Sequence, residues 1–217
     1  MFRKGSLLRE FPVLLAVALA VSLLIKTFLV QFFYIPSGSM ENTLQINDRV
    51  AVNKIPFISS SINRGDVVVF RDPDNWLPTA EDTTSNRYLR LVREGLVAVG
   101  ILPNPAKQYL VKRVIGVAGD TVKCCSKDGR LIINGKAVDE PYIFAGNKPS
   151  DTEFSVTVPE GKVWVMGDHR NASADSRYHM EDINKGFVPV SKVAGRVFAV
   201  IWPVKNATII HSINVLK

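Results

Sequence analysis

The first part of the chain is almost continuously apolar. Residues 11–25 contain no charged side chain, and beyond Lys26 the apolar pattern continues to Phe33. No polar face interrupts this run, as the surface helix of a soluble domain would require. As an α-helix, residues 11–33 would reach roughly 34 Å, enough to cross a bilayer core of about 30 Å. The pattern predicts one transmembrane helix over residues 11–33.

The cations around this apolar run predict its orientation. Those before it are Arg3, Lys4 and Arg9. By the positive-inside rule, residues 1–10 are predicted to be cytoplasmic and residues 34–217 extracytoplasmic. A cleavable secretory signal would share the basic start and the small residues. The apolar run continues well past the alanines at 16–20, which favours a permanent anchor.

After Tyr34 the pattern changes to short runs of β-branched and aromatic residues separated by Gly, Pro, Asn and Asp. The runs are 48–55, 66–70, 109–117, 130–138, 153–159, 162–168 and 195–202. Such runs are typical of strands, and Asn134-Gly135 fits a two-residue hairpin turn. The pattern predicts a mainly β fold, with an antiparallel β-sheet domain over residues 34–217 behind the transmembrane helix.

Residues 75–105 interrupt the strand pattern and are interpreted as an inserted segment. Its first part, 78–86, is polar and loop-like, whereas 88–100 could form a short helix. We assign no function to this insertion.

Composition and charge exclude several classes of protein. A chain of 217 residues allows one domain or two. The net charge is +7, of which residues 1–33 carry +3. Nucleic-acid binding would require a basic stripe with interleaved aromatics or a helix-turn-helix, and neither is present. We therefore expect no nucleic-acid partner, and attraction to an anionic lipid surface accounts for the charge.

The cysteines and histidines do not suggest a metal site. Cys124 and Cys125 are adjacent, so they lack both the spacing of metal ligands and that of a loop-closing disulfide. Two separate side chains are favoured, with a strained vicinal disulfide as the alternative. The three histidines are scattered along the chain. We expect neither a metal nor a cofactor.

A serine-containing segment directly follows the predicted span. Pro36 restricts the chain there, and Gly38 lets the backbone approach a partner closely, so Ser39 could be presented beside backbone N–H groups. A serine hydroxyl attacks an amide only with a base in hydrogen-bond reach and donors for the developing oxyanion. The sequence therefore has to supply a base.

Two side chains are candidates for that base. His169 with Asp175 would complete a Ser-His-Asp triad, although nothing in the local sequence favours it. Lys112 lies in a predicted strand, where alternation places it on the same face as Leu110 and Val114. An apolar face is an unusual place for a charge. The alternative is an edge strand whose ammonium group is in water.

Four motifs in this order resemble bacterial type I signal peptidases, which are membrane-bound serine proteases with a Ser-Lys dyad. They lie at residues 36–40, 64–70, 112–120 and 167–177. Each motif alone is weak, but all four behind an apolar span are specific. The resemblance implies the removal of signal peptides from exported preproteins, with cleavage after small residues in the Ala-x-Ala pattern.

The resemblance also implies roles for individual residues. Ser39 would be the nucleophile and Lys112 the general base, and the Ser39 backbone N–H and the Ser37 hydroxyl would form the oxyanion hole. The base must be neutral to act: about 0.04% of a lysine with a pKa of 10.4 is neutral at pH 7, but about 10% if burial lowers the pKa to about 8.

The resemblance assigns supporting roles to the last motif. Ser173 would hold the Lys112 amine, while Asp175 with Arg177 would brace that loop. Asp175 should lie beyond hydrogen-bond reach of Lys112, because a touching carboxylate would raise the pKa of the amine. Residues 169–172 depart from the usual pattern of the family, and we assign them no catalytic role.

Substrate recognition is expected to use the residues that flank the dyad. Ile35 and Val111 are candidates for the walls of shallow apolar pockets, with plain core packing as the alternative. An extended substrate could pair with the strand around Leu110 through main-chain hydrogen bonds. The aromatic residues 32–34 would anchor the domain at the lipid interface.

Two other functions compete with the peptidase. A Ser-Lys self-cleaving repressor would carry an N-terminal DNA-binding module, but this chain has an apolar span in that position. A membrane-tethered β module that binds a partner without cutting it would require the four-motif match to be accidental.

Overall fold

The computed structural model describes residues 10–17, 29–54, 62–78 and 108–216. The strands in these ranges are β1 (Val30–Tyr34), β2 (Arg49–Asn53), β3 (Val67–Arg71), β4 (Tyr109–Gly116), β5 (Thr121–Cys124), β6 (Ile132–Ile133), β7 (Lys136–Ala137), β8 (Phe154–Thr157), β9 (Lys162–Met166), β10 (Val188–Pro189), β11 (Val193–Trp202) and β12 (Thr208–Ile209). Their pairings are antiparallel. The predicted mainly β, antiparallel fold is confirmed.

The strands form two sheets. The larger has the order β1-β2-β11-β3-β4-β9-β10, with β12 paired to β11, and the smaller has the order β7-β6-β5-β8. The hairpin predicted at Asn134-Gly135 joins β6 to β7, where Ile133 pairs with Lys136. Asn134 and Gly135 have φ angles of 51° and 80°, the left-handed values that this turn needs.

The C-terminal end of the apolar run is a strand. Val30–Tyr34 forms β1 and pairs in register with β2, from Val30↔Asn53 to Tyr34↔Arg49. The prediction of a helix as far as Phe33 was therefore wrong for these residues. The reason is that their β-branched and aromatic side chains suit a paired strand. Pairing with β2 therefore outweighs the continuous apolar pattern that predicted a helix.

The remainder of the predicted span is described only in part. Residues 10–17 are helical, and residues 18–28 lie outside the described ranges. Within those ranges, no helix combines the length and the apolarity that crossing a membrane requires.

Apolar side chains cover both faces of the larger sheet. Val67 and Val69 of β3 pack with Ile35, Met40 and Leu44 in a cluster that we call the nucleophile-side core. Val68 and Phe70 pack on the opposite face with other apolar residues, which we call the far-side core; these include Leu110, Val114 and Val165. A third cluster, around Trp164, lies between β9 and the smaller sheet. Strands β3 and β4 are therefore buried on both faces.

The two ends of the predicted insertion are held together. The Asp72 N–H donates to the Gln108 carbonyl at 3.0 Å. The Gln108 side-chain amide donates to the Pro78 carbonyl at 2.8 Å. The loop predicted at 78–86, beyond Pro78 itself, and the helix predicted at 88–100 lie outside the described residues.

Cys124 and Cys125 are joined as a disulfide. The prediction that they are two separate side chains was therefore wrong. Adjacent cysteines carry no spacing signal that would separate the two states.

Candidate active site

Strand β4 and the turn after β1 bring Ser39 and Lys112 together. Lys112 is in the middle of β4, opposite Val68 of β3. A hydrogen bond of 2.7 Å joins Lys112 Nζ to Ser39 Oγ. Ser39 is 8% exposed and Lys112 only 4% exposed. The two residues predicted to carry the chemistry are therefore in direct contact, away from bulk water.

The surroundings of Lys112 change its ionisation. Burial lowers the pKa of its amine from 10.5 to about 8. The negative charges of Asp175 and Asp168 act in the opposite direction, and the positive charge of Arg177 lowers the pKa further. Between residues of the described ranges, no hydrogen bond or ion pair joins Lys112 to Asp175. Loss of hydration is therefore the dominant effect.

The loop after β9 contains a buried ion pair. Arg177 donates to both oxygens of Asp175, at 2.8 and 2.9 Å. Ser173 Oγ donates to Asp175 Oδ2 at 2.8 Å, and the Gly167 N–H donates to the same oxygen at 2.9 Å. The hydroxyl of Ser173 is thus directed to Asp175, and among the described residues it makes no hydrogen bond to Lys112.

Gly167 lies where the loop after β9 comes closest to the turn after β1 that carries Ser39. Strand β9 ends at Met166, opposite Arg113, so the next antiparallel position puts Gly167 opposite Lys112. A Cβ atom on Gly167 would overlap both Ser173 Oγ and the Ser39 carbonyl oxygen. The absence of a side chain at this position is therefore what allows the loops to meet.

Arg113 is a structural residue that sequence reasoning missed. Its Nε and Nη2 donate to the two oxygens of Asp168 at 2.8 and 2.6 Å, and its Nη1 donates to the Gly65 carbonyl at 2.8 Å. Its guanidinium also lies 4.1 Å from the centre of the Tyr142 ring. Arg113 follows Lys112, so strand alternation turns its side chain to the other face of β4, which it shares with Val111. It ties β4 to the loop after β9.

The other predicted site residues are placed as follows. Ser37 is exposed, two residues before Ser39. Ile35 is buried in the nucleophile-side core, where Val111 packs against it, whereas Leu110 belongs to the far-side core. The structure therefore brings two of the three predicted pocket residues together. Met40 and Leu44, which the sequence reasoning did not single out, pack in the same core.

His169 does not form a triad with Ser39. Its Nδ1 lies 2.9 Å from Glu41 Oε2, and its ring stacks on Phe144 with 4.2 Å between the ring centres. The second member of the rejected triad, Asp175, is bonded to Arg177. Within the described ranges, no group of three or more His, Cys, Asp or Glu side chains could hold a metal ion.

The fold and the buried serine-lysine pair indicate a serine hydrolase on an antiparallel β scaffold. The family described as signal peptidase, peptidase S26, matches residues 8–202. The chain therefore belongs to the signal peptidase family, and the resemblance predicted from the four motifs is confirmed.

Individual proteins with the same family description are similar to this chain. A probable signal peptidase I from Mycobacterium leprae is 40% identical, over 98% of this chain and 82% of the relative. Signal peptidase I from Bacillus licheniformis is 31% identical, over 93% of this chain and 91% of the relative. A solved signal peptidase I from Enterococcus faecalis V583 is 26% identical and covers 63% of this chain and 97% of that chain, with a TM-score of 0.38.

Proposed function

We propose that this chain is a membrane-bound serine endopeptidase that removes N-terminal signal peptides from exported preproteins. Ser39 is the nucleophile and Lys112 the general base. The observation that carries the proposal is the buried 2.7 Å contact between Ser39 Oγ and Lys112 Nζ. The proposal requires no cofactor, because the nucleophile and the base are both side chains of this chain.

The proposed reaction begins with a neutral Lys112. Its amine takes the proton of Ser39 Oγ as this oxygen attacks the scissile carbonyl carbon. The resulting tetrahedral intermediate collapses, and the leaving amine of the mature protein takes the proton back from Lys112. Water then attacks the ester on Ser39, with Lys112 again as the base, which releases the signal peptide and restores the hydroxyl.

The developing oxyanion needs donors that are already in place. We propose the Ser39 backbone N–H and the hydroxyl of Ser37, which is exposed two residues before Ser39. Asp175 and Arg177 support the dyad indirectly, since Asp175 receives the hydroxyl of Ser173 and the N–H of Gly167. These contacts hold the loop that faces Lys112.

The edge of β4 is the proposed binding place for the signal peptide. Tyr109–Val111 pairs with β3 on one side, and β9 pairs with β4 only from Arg113 onward. In the described part of the chain, no strand occupies the other side of Tyr109–Val111. An extended substrate can add a strand there. The apolar surface of Ile35 and Val111 would then receive the small residues of an Ala-x-Ala sequence.

The membrane is the second proposed partner. We propose that residues 10–28, partly helical as described, form a single anchor with residues 1–9 in the cytoplasm and the β domain on the extracytoplasmic face of the cell membrane. Ser39 is nine residues beyond the start of β1 at Val30. The dyad would therefore face the lipid surface, where the apolar segment of a substrate emerges. No nucleic-acid partner is proposed.

The test is a preprotein-processing assay on the full chain in detergent. Ser39→Ala and Lys112→Ala should each abolish cleavage, and Lys112→Arg should do the same because a guanidinium stays protonated. Ser155→Ala and Lys123→Ala, at exposed positions of β8 and β5, are the matched controls and should process normally. Unchanged processing by Ser39→Ala or Lys112→Ala would overturn the proposal and leave a membrane-tethered binding module.

A further inference from the structure

A cluster of three side chains, one of which belongs to the turn at residues 37–44 that carries Ser39 (the nucleophile turn), has no part in the dyad. It consists of Glu41, His169 and Phe144. His169 Nδ1 is 2.9 Å from Glu41 Oε2, and its ring is stacked on Phe144. The His169 N–H also donates to the Ser39 carbonyl at 3.2 Å. This backbone hydrogen bond joins the residue that carries the imidazole to the residue that carries the nucleophilic hydroxyl.

The Glu41 side chain is folded back toward the nucleophile. A Cβ atom on Gly38 would lie 2.9 Å from Glu41 Oε2 and 3.2 Å from Oε1, so the carboxylate covers the residue before Ser39. The Glu41 side chain is 26% exposed, and that of His169 is 19% exposed. Among the described residues, no donor is bonded to Glu41 Oε1. One carboxylate oxygen therefore remains available beside the scissile position.

Glu41 differs from the other acidic residues of the site in its partner. Asp168 is paired with Arg113, Asp175 with Arg177, and Glu140 with Arg170. Each of those carboxylates faces a permanent cation. Glu41 is bonded to an imidazole instead. It is therefore the carboxylate of this region whose charge is best placed to act on a bound peptide.

The course of the sheet indicates which part of the substrate meets this cluster. A peptide that pairs with the free edge of Tyr109–Val111 takes the same strand position beside β4 that β9 takes from Arg113 onward. Gly167 lies opposite Lys112 and blocks a peptide strand from continuing past that residue. The chain beyond the scissile bond must therefore turn away at Gly167. His169 follows two residues later and donates its backbone N–H to the Ser39 carbonyl, and its ring holds Glu41.

The chemistry of the two sides fixes the direction of the substrate. The free strand edge at Val111 is flanked by apolar residues of the nucleophile-side core, which suits the small apolar side chains of a signal peptide. The cluster at Glu41 and His169 is polar and partly exposed. It suits the first residues of the mature protein, which leave into water.

We propose that Glu41 and His169 form the subsite for the first residue of the mature protein, and that Glu41 makes this subsite prefer a basic over an acidic side chain. His169 holds the carboxylate in place through Nδ1, while Glu41 Oε1 meets the incoming cation. This inference rests on the proposed function, since it assigns a further part of the same site.

The test uses one preprotein with Lys, Gln or Glu as the first mature residue. Full-length enzyme in detergent at low ionic strength should cleave the Lys substrate with a kcat/KM about fivefold higher than the Glu substrate, the effect of one partly exposed charge pair. Glu41→Gln should bring this ratio close to one, and Glu41→Lys should invert it. Glu160 is exposed and precedes the first residue of β9, at the end of this strand away from Gly167. Glu160→Gln should therefore keep the wild-type ratio.

Two results would overturn the inference without touching the proposed function. The first is a Lys-to-Glu ratio that Glu41→Gln leaves unchanged. The second is an equal fall in the kcat/KM of Glu41→Gln for all three substrates, which would make Glu41 a positioning residue for the nucleophile turn. Failure of the wild-type enzyme to cleave any of the three substrates would instead overturn the proposed function, and the subsite with it.

Discussion

At the scale of single residues, the proposed role of Lys112 as a base opposes the stability of the folded protein. Burial lowers the pKa of its amine from 10.5 to about 8. A shift of that size corresponds to roughly 3 kcal/mol of unfavourable free energy for the protonated form in the folded protein. The rest of the fold must offset this cost. The β domain is therefore less stable than its apolar core alone would make it.

Replacing Lys112 should stabilise the protein in a pH-dependent way. Below pH 8 the folded wild type bears the full cost of a buried ammonium, so Lys112→Met should raise the free energy of unfolding by roughly 2–3 kcal/mol at pH 7. Between pH 8 and 10.5 the unfolded wild type binds the proton that the folded state has released. Wild-type stability therefore rises with pH there, and the difference shrinks. Urea unfolding at pH 7 and 10 measures it.

The exposed Lys123 provides the control for this measurement. Lys123→Met should change the free energy of unfolding by a similar small amount at both pH values. A pH-independent effect of Lys112→Met would contradict a lowered pKa at this position.

The pH dependence of cleavage should report the same group. Because only the neutral amine can accept the Ser39 proton, kcat/KM should rise with pH and level off above an apparent pKa of about 8. Initial rates on a preprotein from pH 6 to 10 measure this limb. A flat profile over that range would exclude Lys112 as a base that titrates there.

The sequence predicts the two residues of the proposed dyad better than it predicts the contacts of the residues around them. Ser39 and Lys112 stand in short motifs with recognisable chemistry, and Lys112 is further marked by its apolar neighbours. Arg113 and Glu41 carry no such local signal, because their partners Asp168 and His169 lie far away in sequence. The hydroxyl of Ser173 illustrates the same limit, since its bond to Asp175 depends on how the loop after β9 folds.

At the scale of structural elements, the junction between β9 and the nucleophile turn depends on one missing side chain. A Cβ on Gly167 would overlap the Ser39 carbonyl oxygen and Ser173 Oγ. Gly167→Ala should therefore push the two loops apart, lengthen the contact between Ser39 and Lys112, and lower kcat by at least about 100-fold. Steady-state kinetics on a preprotein check the effect.

Gly129→Ala is a suitable comparison for Gly167→Ala. Gly129 has a φ angle of 82° but open space where a Cβ would lie. Its replacement should cost about 1 kcal/mol of stability and leave kcat unchanged. Normal turnover by Gly167→Ala would show that the site tolerates a wider separation of these loops.

The strands were predictable to different degrees. The run at 109–117 became β4 almost unchanged, and Asn134-Gly135 became the turn between β6 and β7. Strand β1 was missed because its five residues continue an apolar run of helix-like length. Only pairing with β2, a contact between distant parts of the chain, selects a strand there.

At the scale of the whole molecule, one end of the larger sheet presents aromatic side chains to the outside. Tyr34 and Trp202 lie in one cross-strand row, both opposite Arg49 of β2. They are each 54% exposed, and Phe32 is 55% exposed. The predicted interfacial role of residues 32–34 therefore extends to Trp202 as a prediction, whereas Phe33 packs edge-on against Tyr109.

Tryptophan fluorescence can test contact of this surface with lipid. Trp76 and Trp164 are buried, at 7% and 0% exposure, so Trp202 is the tryptophan that lipid could reach. Reconstitution of the full chain into vesicles with brominated acyl chains should quench part of the emission. Trp202→Phe should remove the quenched component, while Trp76→Phe should retain it. Equal emission in brominated and unbrominated vesicles would contradict the prediction.

The hydrogen bonds between Asp72, Gln108 and Pro78 have a consequence for how this chain can change in length. They close the end of the ladder in which β3 pairs with β4, just before the intervening stretch begins. Deleting residues 80–106 in favour of a short glycine-containing turn should therefore leave the spacing of the reactive oxygen and nitrogen atoms intact. We therefore expect that the length of this stretch can change without separating Ser39 Oγ from Lys112 Nζ.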